Sequence, residues 1–293
     1  MSLRVGLFLP TLNAALWLPR WIEGVRQQTV QPDRILVIDS SSEDNTVALC
    51  LQAGFEVHTI SRQAFSHGGT RMEAINRLGT CDIVICMTQD ALLDDPSSFS
   101  HLIAVFDDPI IAAAYGRQLP HQDADPLAKQ ARQFNYPAEG HVSDATALRT
   151  RGLRAAFCSN SYAAWRRSSL IAIGGFDALL PFAEDMYASA TLLTRGWSVA
   201  YCANATVRHS HNYGIREDFQ RYWLTGYTHR LHPWILTIAG GATSEGMKLL
   251  RHRLAYLRRV GMLACMHGIM RTAIGWIAYK LGRAGILSRW LAA

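Results

Sequence analysis

In the stretch VRHSHNY, His209 and His211 stand two residues apart. On a strand, that spacing sends both rings to one side of the sheet. Neutral imidazole ligates divalent metals, so the pair can form part of a metal shell, although two surface histidines would look the same. A third ligand is available in Asp90, which follows the apolar run DIVICM. A carboxylate at such a strand end can hold a divalent cation that bridges two phosphates. Glu184-Asp185 opens a predicted helix, where the helix dipole alone would favour acids. A carboxylate there can also take the proton from an attacking hydroxyl. Adjacent residues point in different directions, so Asp185 is expected as the base and Glu184 as the group that orients the acceptor.

Two further clusters suit a phosphorylated ligand. Asp39 ends the run RILVID and precedes three serines. Its carboxylate can accept hydrogen bonds from a base or ribose, or can join the serines in capping the next helix. His67-Gly68-Gly69-Thr70-Arg71 lies where a loop enters a helix. The glycines would let the backbone approach a ligand closely, and Arg71 in the first turn could hold a diphosphate; a plain turn with a surface arginine fits as well.

The elements that must position these groups alternate along the chain. Strands are predicted over 4–9, 34–39, 55–60, 82–87 and 110–115, and helices over 16–27, 46–53, 70–78 and 97–106. That order predicts an α/β fold with a largely parallel sheet covered by helices on both faces. Ligands of such sheets sit beyond the carboxyl ends of the strands, where Thr11 and Asn13, Asp39-Ser40-Ser41-Ser42, Ser66-His67-Gly68-Gly69 and Gln89-Asp90 would converge. Residues 118–150 read as loops with one helix near 126–134. A strand is predicted over 156–164, helices over 166–173 and 184–195, and two short strands over 198–202 and 206–210. Helices dominate thereafter.

Composition narrows the class. The 293 residues are 49% hydrophobic and 18% charged, which excludes a disordered chain, a coiled coil and a fibre. Six cysteines without a CxxC pair argue against a disulfide scaffold or zinc ribbon and for a reducing compartment. The net charge of +6 hides a mildly acidic body and a basic tail: from Lys248 onward there are nine Lys or Arg and no acid. No signal peptide or membrane-spanning run is expected; residues 260–279, interrupted by His267 and Arg271, read as buried or interfacial. Nucleic acid is not an expected partner, because the basic charge lies away from the predicted cleft. In the tail, Met247, Leu250, Leu254 and Leu257 share a helical face, Lys248, His252 and Arg259 lie opposite, and Arg251, Arg253 and Arg258 flank them. With Trp276, Tyr279 and Trp290 this suits an anionic membrane surface, although an amphipathic stripe also suits a helical cap on the protein itself.

Taken in order, LFLPTLN (7–13), ILVIDSSSEDNT (35–46), FSHGGTR (65–71), MTQDA (87–91), FCSNSYAAWRRSSL (157–170), the 174–201 segment and VRHSHNY (207–213) resemble glycosyltransferase family 2 over roughly residues 4–215. The HGGTR, TQDA, SNSYAAWRR and HSHNY pieces look like its rhamnosyltransferase branch. The resemblance implies a GT-A catalytic domain over 1–232 with a C-terminal helical appendage over 233–293. It implies a nucleotide-sugar donor, dTDP-L-rhamnose, and a lipid-linked glycan acceptor at the cytoplasmic face of the plasma membrane. Thr11, Asn13 and Asp39 would contact the nucleoside, with Arg71 and Gln89 near the ribose and diphosphate. Asp90, the remaining acid of a DxD motif that here reads Thr88-Gln89-Asp90, would bind Mg²⁺ or Mn²⁺ with His209 and His211. Asp185 would be the base of an inverting displacement. A nucleotidyltransferase would want a Gly- and Lys-rich phosphate loop near the first strand, which LFLPTLNAAL lacks. A non-enzymatic membrane-surface scaffold would bind no sugar nucleotide.

Overall fold

A computed structural model describes residues 3–241 and 243–287; Trp290 lies outside the described residues. Among the described residues, eight strands form one sheet: β1 (Val5–Thr11), β2 (Arg34–Asp39), β3 (Glu56–Thr59), β4 (Ile83–Met87), β5 (Ile111–Leu119), β6 (His141–Ser143), β7 (Tyr162–Arg166) and β8 (Ser198–Arg208). The α-helices described with them are α1 (Leu18–Arg26), α2 (Thr46–Gln52), α3 (His67–Arg77), α4 (Ser98–Ala104), α5 (Pro126–Asn135), α6 (Ala145–Arg151), α7 (Arg167–Ala172), α8 (Glu184–Thr194), α9 (Ile215–Leu231), α10 (Trp234–Ala239), α11 (Thr243–Leu257) and α12 (Met262–Ala284).

The strand order is β3-β2-β1-β4-β7-β5-β8-β6. β1 pairs in parallel with β2 and β4, and β5 with β8, while β7 runs antiparallel between β4 and β5. Alternating side chains feed two cores, as a sheet covered on both faces requires. Leu7, Leu9 and Ile85 join Trp21 and Phe99 on one face. Phe8, Val84 and Cys86 join Ile75 and Trp165 on the other. All six cysteines are free, and five of them are buried.

The structure departs from the sequence reading in several places. The two short strands predicted over 198–210 are one strand, β8, with a break in register opposite Gly116/Arg117. A Cβ at Gly116 would lie 2.3 Å from the Tyr162 ring and 2.6 Å from the Ala205 carbonyl, so only glycine allows this packing. Residues 118–150 hold β6 and α6 beside the predicted helix. The predicted strand over 156–164 begins late, at Tyr162, because residues 157–161 turn along the ligand edge instead.

The tail folds back onto the body. α12 packs along α9 at close range: a Cβ at Gly226 would sit 2.2 Å from the Tyr279 carbonyl, and one at Gly282 would sit 2.1 Å from that of Trp223. The buried Trp223 donates its indole N–H to the Ile286 carbonyl at 2.7 Å. Arg253, which reads in the sequence as a flanking surface charge, is instead buried, donating to Gln130 Oε1 at 3.1 Å and Thr272 Oγ1 at 2.8 Å. Leu257 is likewise buried. Much of the apolar surface the tail leaves open belongs to α12, where Met262, Leu263, Met266, Ile269, Trp276 and Ile277 are exposed; Met247 of α11 is exposed as well. Among the described residues, no helix is long and apolar enough to cross a membrane.

Candidate active site

Parallel pairing brings the ends of β1, β2 and β4 to one edge. Thr11 lies opposite Asp39, and its hydroxyl donates to Asp39 Oδ1 at 2.9 Å. Asp39 also accepts from the Ser42 backbone N–H, at 2.8 Å, and from the Ser42 hydroxyl. It is fully buried, so it fixes the shape of the Ser40–Ser42 turn from within. Asn13, with φ of 49°, donates its backbone N–H to Ser42 and accepts from Glu43 N at 2.9 Å. Gln89 clasps the Leu12 backbone, accepting its N–H at 2.9 Å and donating to its carbonyl at 3.2 Å. Together these contacts lock a groove along the strand ends.

The HGGTR segment does other work. Ser66 caps α3 through its hydroxyl and Gly69 N, so both glycines lie inside the first turn rather than before it. A Cβ at Gly68 would lie 2.2 Å from the Asp177 carbonyl. The glycine therefore admits the neighbouring 174–178 loop, not a ligand. Arg71 is buried, with Nη1 3.2 Å from Glu184 Oε1 and 2.9 Å from the His67 carbonyl. Its guanidinium stands behind Glu184 instead of facing an open phosphate site.

The two acids differ as their adjacency suggested. Glu184 is buried between Arg71 and the Asn160 amide, which donates to its Oε1 at 3.0 Å. Burial opposes its ionisation, but Arg71, His67 and Asn160 outweigh that and hold its carboxyl below the ordinary range. Asp185 is half-buried and held by backbone donors. Its Oδ2 accepts the Asn160 backbone N–H at 2.9 Å and its Oδ1 accepts that of Met186 at 2.7 Å. Burial, then the Glu184 charge, pushes its carboxyl up to about 7. A carboxylate tuned in this way is suited to receive a proton near neutral pH.

Asp90, His209 and His211 meet as a trio whose ligand atoms all lie within 4.8 Å of one another. Each histidine Nε2 is 3.4 Å from Asp90 Oδ2. The tautomer of His209 follows from its neighbours. Arg132 can only donate, and it donates to Gln118 Oε1, so that atom is the amide oxygen. His209 Nδ1, 2.8 Å from the same oxygen, must then carry the proton, which leaves Nε2 bare toward Asp90. Burial holds His209 toward its neutral form and, with the neighbouring ring, lowers His211 to about 4. Burial also opposes charge on Asp90, but its contacts with the histidines outweigh it and keep the carboxyl well below the usual range. A protonated histidine Nε2 draws charge onto Asp90, whereas the neutral ring turns a bare Nε2 toward it; one carboxylate with two imidazole nitrogens within 4.8 Å is a donor set that fits a divalent metal.

The loop before β7 ties these parts together through three consecutive residues. The Ser159 hydroxyl accepts from Gln118 Nε2 at 3.0 Å, Asn160 holds both acids, and the Ser161 carbonyl accepts from Thr88 N at 3.3 Å. Asn160 also accepts from the Trp165 indole N–H at 2.8 Å, so its amide oxygen is engaged as well. Sequence reading passes over Asn160 and Gln118. The available signal is their polarity next to apolar strands: SNS before YAAW, and Gln at the end of IAAAYGRQL.

This mixed sheet, mostly parallel and flanked by helices, with Asp90, His209 and His211 meeting at one edge, has the GT-A architecture. The overall architecture matches the mannosyltransferase PcManGT from Pyrobaculum calidifontis, solved with GDP-Man and Mn²⁺. That match has a TM-score of 0.67 at 15% identity and covers 97% of this chain and 88% of that one. Residues 1–349 of S. aureus TarS match with a TM-score of 0.61 at 12% identity, covering 96% and 90%. The sequence matches the family model for glycosyl transferase family 2 over residues 7–174 and that for glycosyl transferase family 21 over residues 140–292. It is 40% identical to the O-antigen chain rhamnosyltransferase RfbN of Salmonella typhimurium, over 96% of this chain and 90% of that protein. It is 39% identical to WbaN of Salmonella anatum, with the same description, over 94% and 88%. The chain belongs to glycosyl transferase family 2 and is a glycosyltransferase.

Proposed function

We propose that this enzyme transfers L-rhamnose from dTDP-L-rhamnose to a hydroxyl of a lipid-linked, growing surface polysaccharide, with inversion at the anomeric carbon. The observation that carries the mechanism is the Asn160 hub, which couples a low-pKa Glu184 to a raised Asp185, while the adjacent Ser159 reaches Gln118 and through it His209 of the metal trio. Asp185 takes the proton from the acceptor hydroxyl as its oxygen attacks the anomeric carbon. Glu184, ionised and held by Arg71, orients the acceptor and keeps the Asp185 proton affinity high. Asp90, His209 and His211 would hold Mg²⁺ or Mn²⁺, which offsets charge on the departing diphosphate. Thr11, Asn13, Asp39 and Gln89 shape the nucleoside groove.

The choice of rhamnose rests on the two Salmonella relatives, and the choice of metal on the donor set and on the Mn²⁺ complex of PcManGT. The exposed apolar stripe of α12 and the acid-free basic tail support peripheral docking on the cytoplasmic face of the plasma membrane. The test is a panel of sugar nucleotides offered with a membrane lipid extract, with Mg²⁺, Mn²⁺ or EDTA. Transfer from dTDP-L-rhamnose, lost in EDTA, with NMR showing an inverted linkage, is expected. Preference for another donor, or retention of configuration, refutes the corresponding part.

A further inference from the structure

Residues 177–183 lead straight into α8 and its acid pair, Glu184-Asp185. The helix starts without a side-chain cap: its N-cap is Ala183, with φ of 61° and ψ of 32°. Ser, Thr, Asp or Asn would ordinarily hold such a start, and a left-handed backbone is unfavourable for any residue with a Cβ. Arg71 and the Asn160 groups grip the carboxylates of the pair, not the backbone of this turn. A strained turn persists only where its surroundings impose it, so other contacts must hold Ala183 in place.

Those contacts come from one face of α9. Thr228 is fully buried and donates its hydroxyl to the Phe182 carbonyl at 2.8 Å. A helical threonine can bond back to its own helix, as Thr225 does to the Arg221 carbonyl at 2.9 Å; Thr228 reaches across instead. His232, one turn on, has Nε2 3.1 Å from Asp177 Oδ2, and Asp177 Oδ1 accepts the Leu179 N–H at 2.9 Å. The His232 ring centre also lies 4.3 Å from that of Tyr187, whose N–H donates to the Ala183 carbonyl at 3.1 Å. α9 thus touches both ends of residues 177–182 and the helix just beyond the acid pair. The other side of this loop rests on α3, where Gly68 meets the Asp177 carbonyl.

We propose that Thr228, assisted by His232, is a positioning residue for the transfer reaction: by holding the Phe182 carbonyl it fixes the left-handed turn at Ala183 that aims Asp185. This rests on Asp185 as the base and deepens that reading, since it gives a helix outside the sheet a part in the chemistry. α12 packs on α9 at Gly226 and Gly282, so the tail backs the brace from behind.

The test measures transfer from dTDP-L-rhamnose to the membrane lipid extract by the full-length protein, with dTDP affinity by calorimetry. Thr228→Val keeps the side-chain shape and loses the donor. Its kcat is expected to fall about tenfold, with KM for dTDP-L-rhamnose and Kd for dTDP within about twofold of wild type. Thr228→Ser returns the hydroxyl and should bring kcat back to within about threefold of wild type. In the Asp185→Asn background, Thr228→Val should cost less than about twofold more, because the group it positions is gone. Unchanged kcat in Thr228→Val, an equal loss in Thr228→Ser, or a full second loss on top of Asp185→Asn overturns the proposal. Full transfer by Asp185→Asn refutes the base reading and the proposal with it, a result distinct from a silent Thr228→Val. Circular dichroism checks that Thr228→Val is folded. If it is not, His232→Phe decides: it keeps a ring against Tyr187, loses the Asp177 contact, and should lower kcat about threefold at constant KM, whereas unchanged kcat overturns the proposal.

Discussion

Asp185→Asn tests the base through stability as well as rate. In the wild type, burial and Glu184 raise the Asp185 carboxyl from 3.8 to about 7. The folded state then keeps its proton to higher pH than the unfolded state does. Wild-type stability from this group is therefore full below about pH 4, declines as pH rises toward 7, and stays low above that. About two pH units of that decline lie between pH 5 and 7, or at most ~3 kcal/mol. Because Glu184 shares the titration, roughly half of that is expected, about 1–2 kcal/mol. Asparagine removes the decline. It also leaves one of the Asn160 and Met186 backbone N–H groups without its carboxylate acceptor, at a cost of about 1–3 kcal/mol. That cost does not depend on pH and cancels when the same pair is compared at pH 5 and pH 8. Urea melts at both pH values should show Asp185→Asn gaining about 1–2 kcal/mol relative to wild type at the higher one. Transfer should fall by about 10²–10⁴ in the variant. Wild-type kcat/KM should lose about tenfold per pH unit below 7, as loss of an ionised base requires. Parallel pH dependence of stability in the two proteins, or full activity in the variant, would refute the assignment.

Other outcomes follow from contacts already described. Gln118→Ala frees the His209 tautomer and should weaken Mn²⁺ binding about 10–100-fold by calorimetry, with the fold intact by circular dichroism. Asn160→Ala strands the buried Trp165 indole N–H and removes a donor from Glu184. It should cost about 2–4 kcal/mol in urea melts, beyond the loss of activity. Gly282→Val drives a side chain into the Trp223 carbonyl and should cost about 2 kcal/mol or more, read as a lowered melting temperature. Leu263→Asp with Met266→Asp should move the protein from sedimented anionic vesicles to the supernatant, whereas donor binding stays unchanged. Removing the tail from 246 onward is a poorer test, because it uncovers Trp223.

The parts legible in the sequence are those set by a short repeat or a strand end. Asp90, Asp185, His209 and His211 stand out because a charged or metal-binding side chain abruptly ends or follows an apolar run. Period alone does not show what the polar groups face. Arg71 looks the same in sequence whether it meets a diphosphate or Glu184; its side chain turns inward because α3 packs so close to the 174–178 loop at Gly68. Asn160 and Gln118 are hidden for a related reason: each acts through partners far along the chain. The break in β8 depends on Gly116, a residue on another strand. The inward burial of Arg253 depends on Gln130 and Thr272, which lie on different helices.

Because β7 runs against its neighbours, its first residues, not its last, arrive at the ligand edge. Ser159, Asn160 and Ser161 thus serve as a common keystone for the Gln118–His209 contact, the Glu184–Asp185 pair and the end of β4, the groups proposed above to hold the leaving side and to activate the incoming side. Drift elsewhere, in the nucleoside turn or on the outer surface of α12, can retune what is bound without disturbing the alignment between the two halves. Drift at the keystone shifts both at once, so new substrate pairings should arise around it while these three positions hold still.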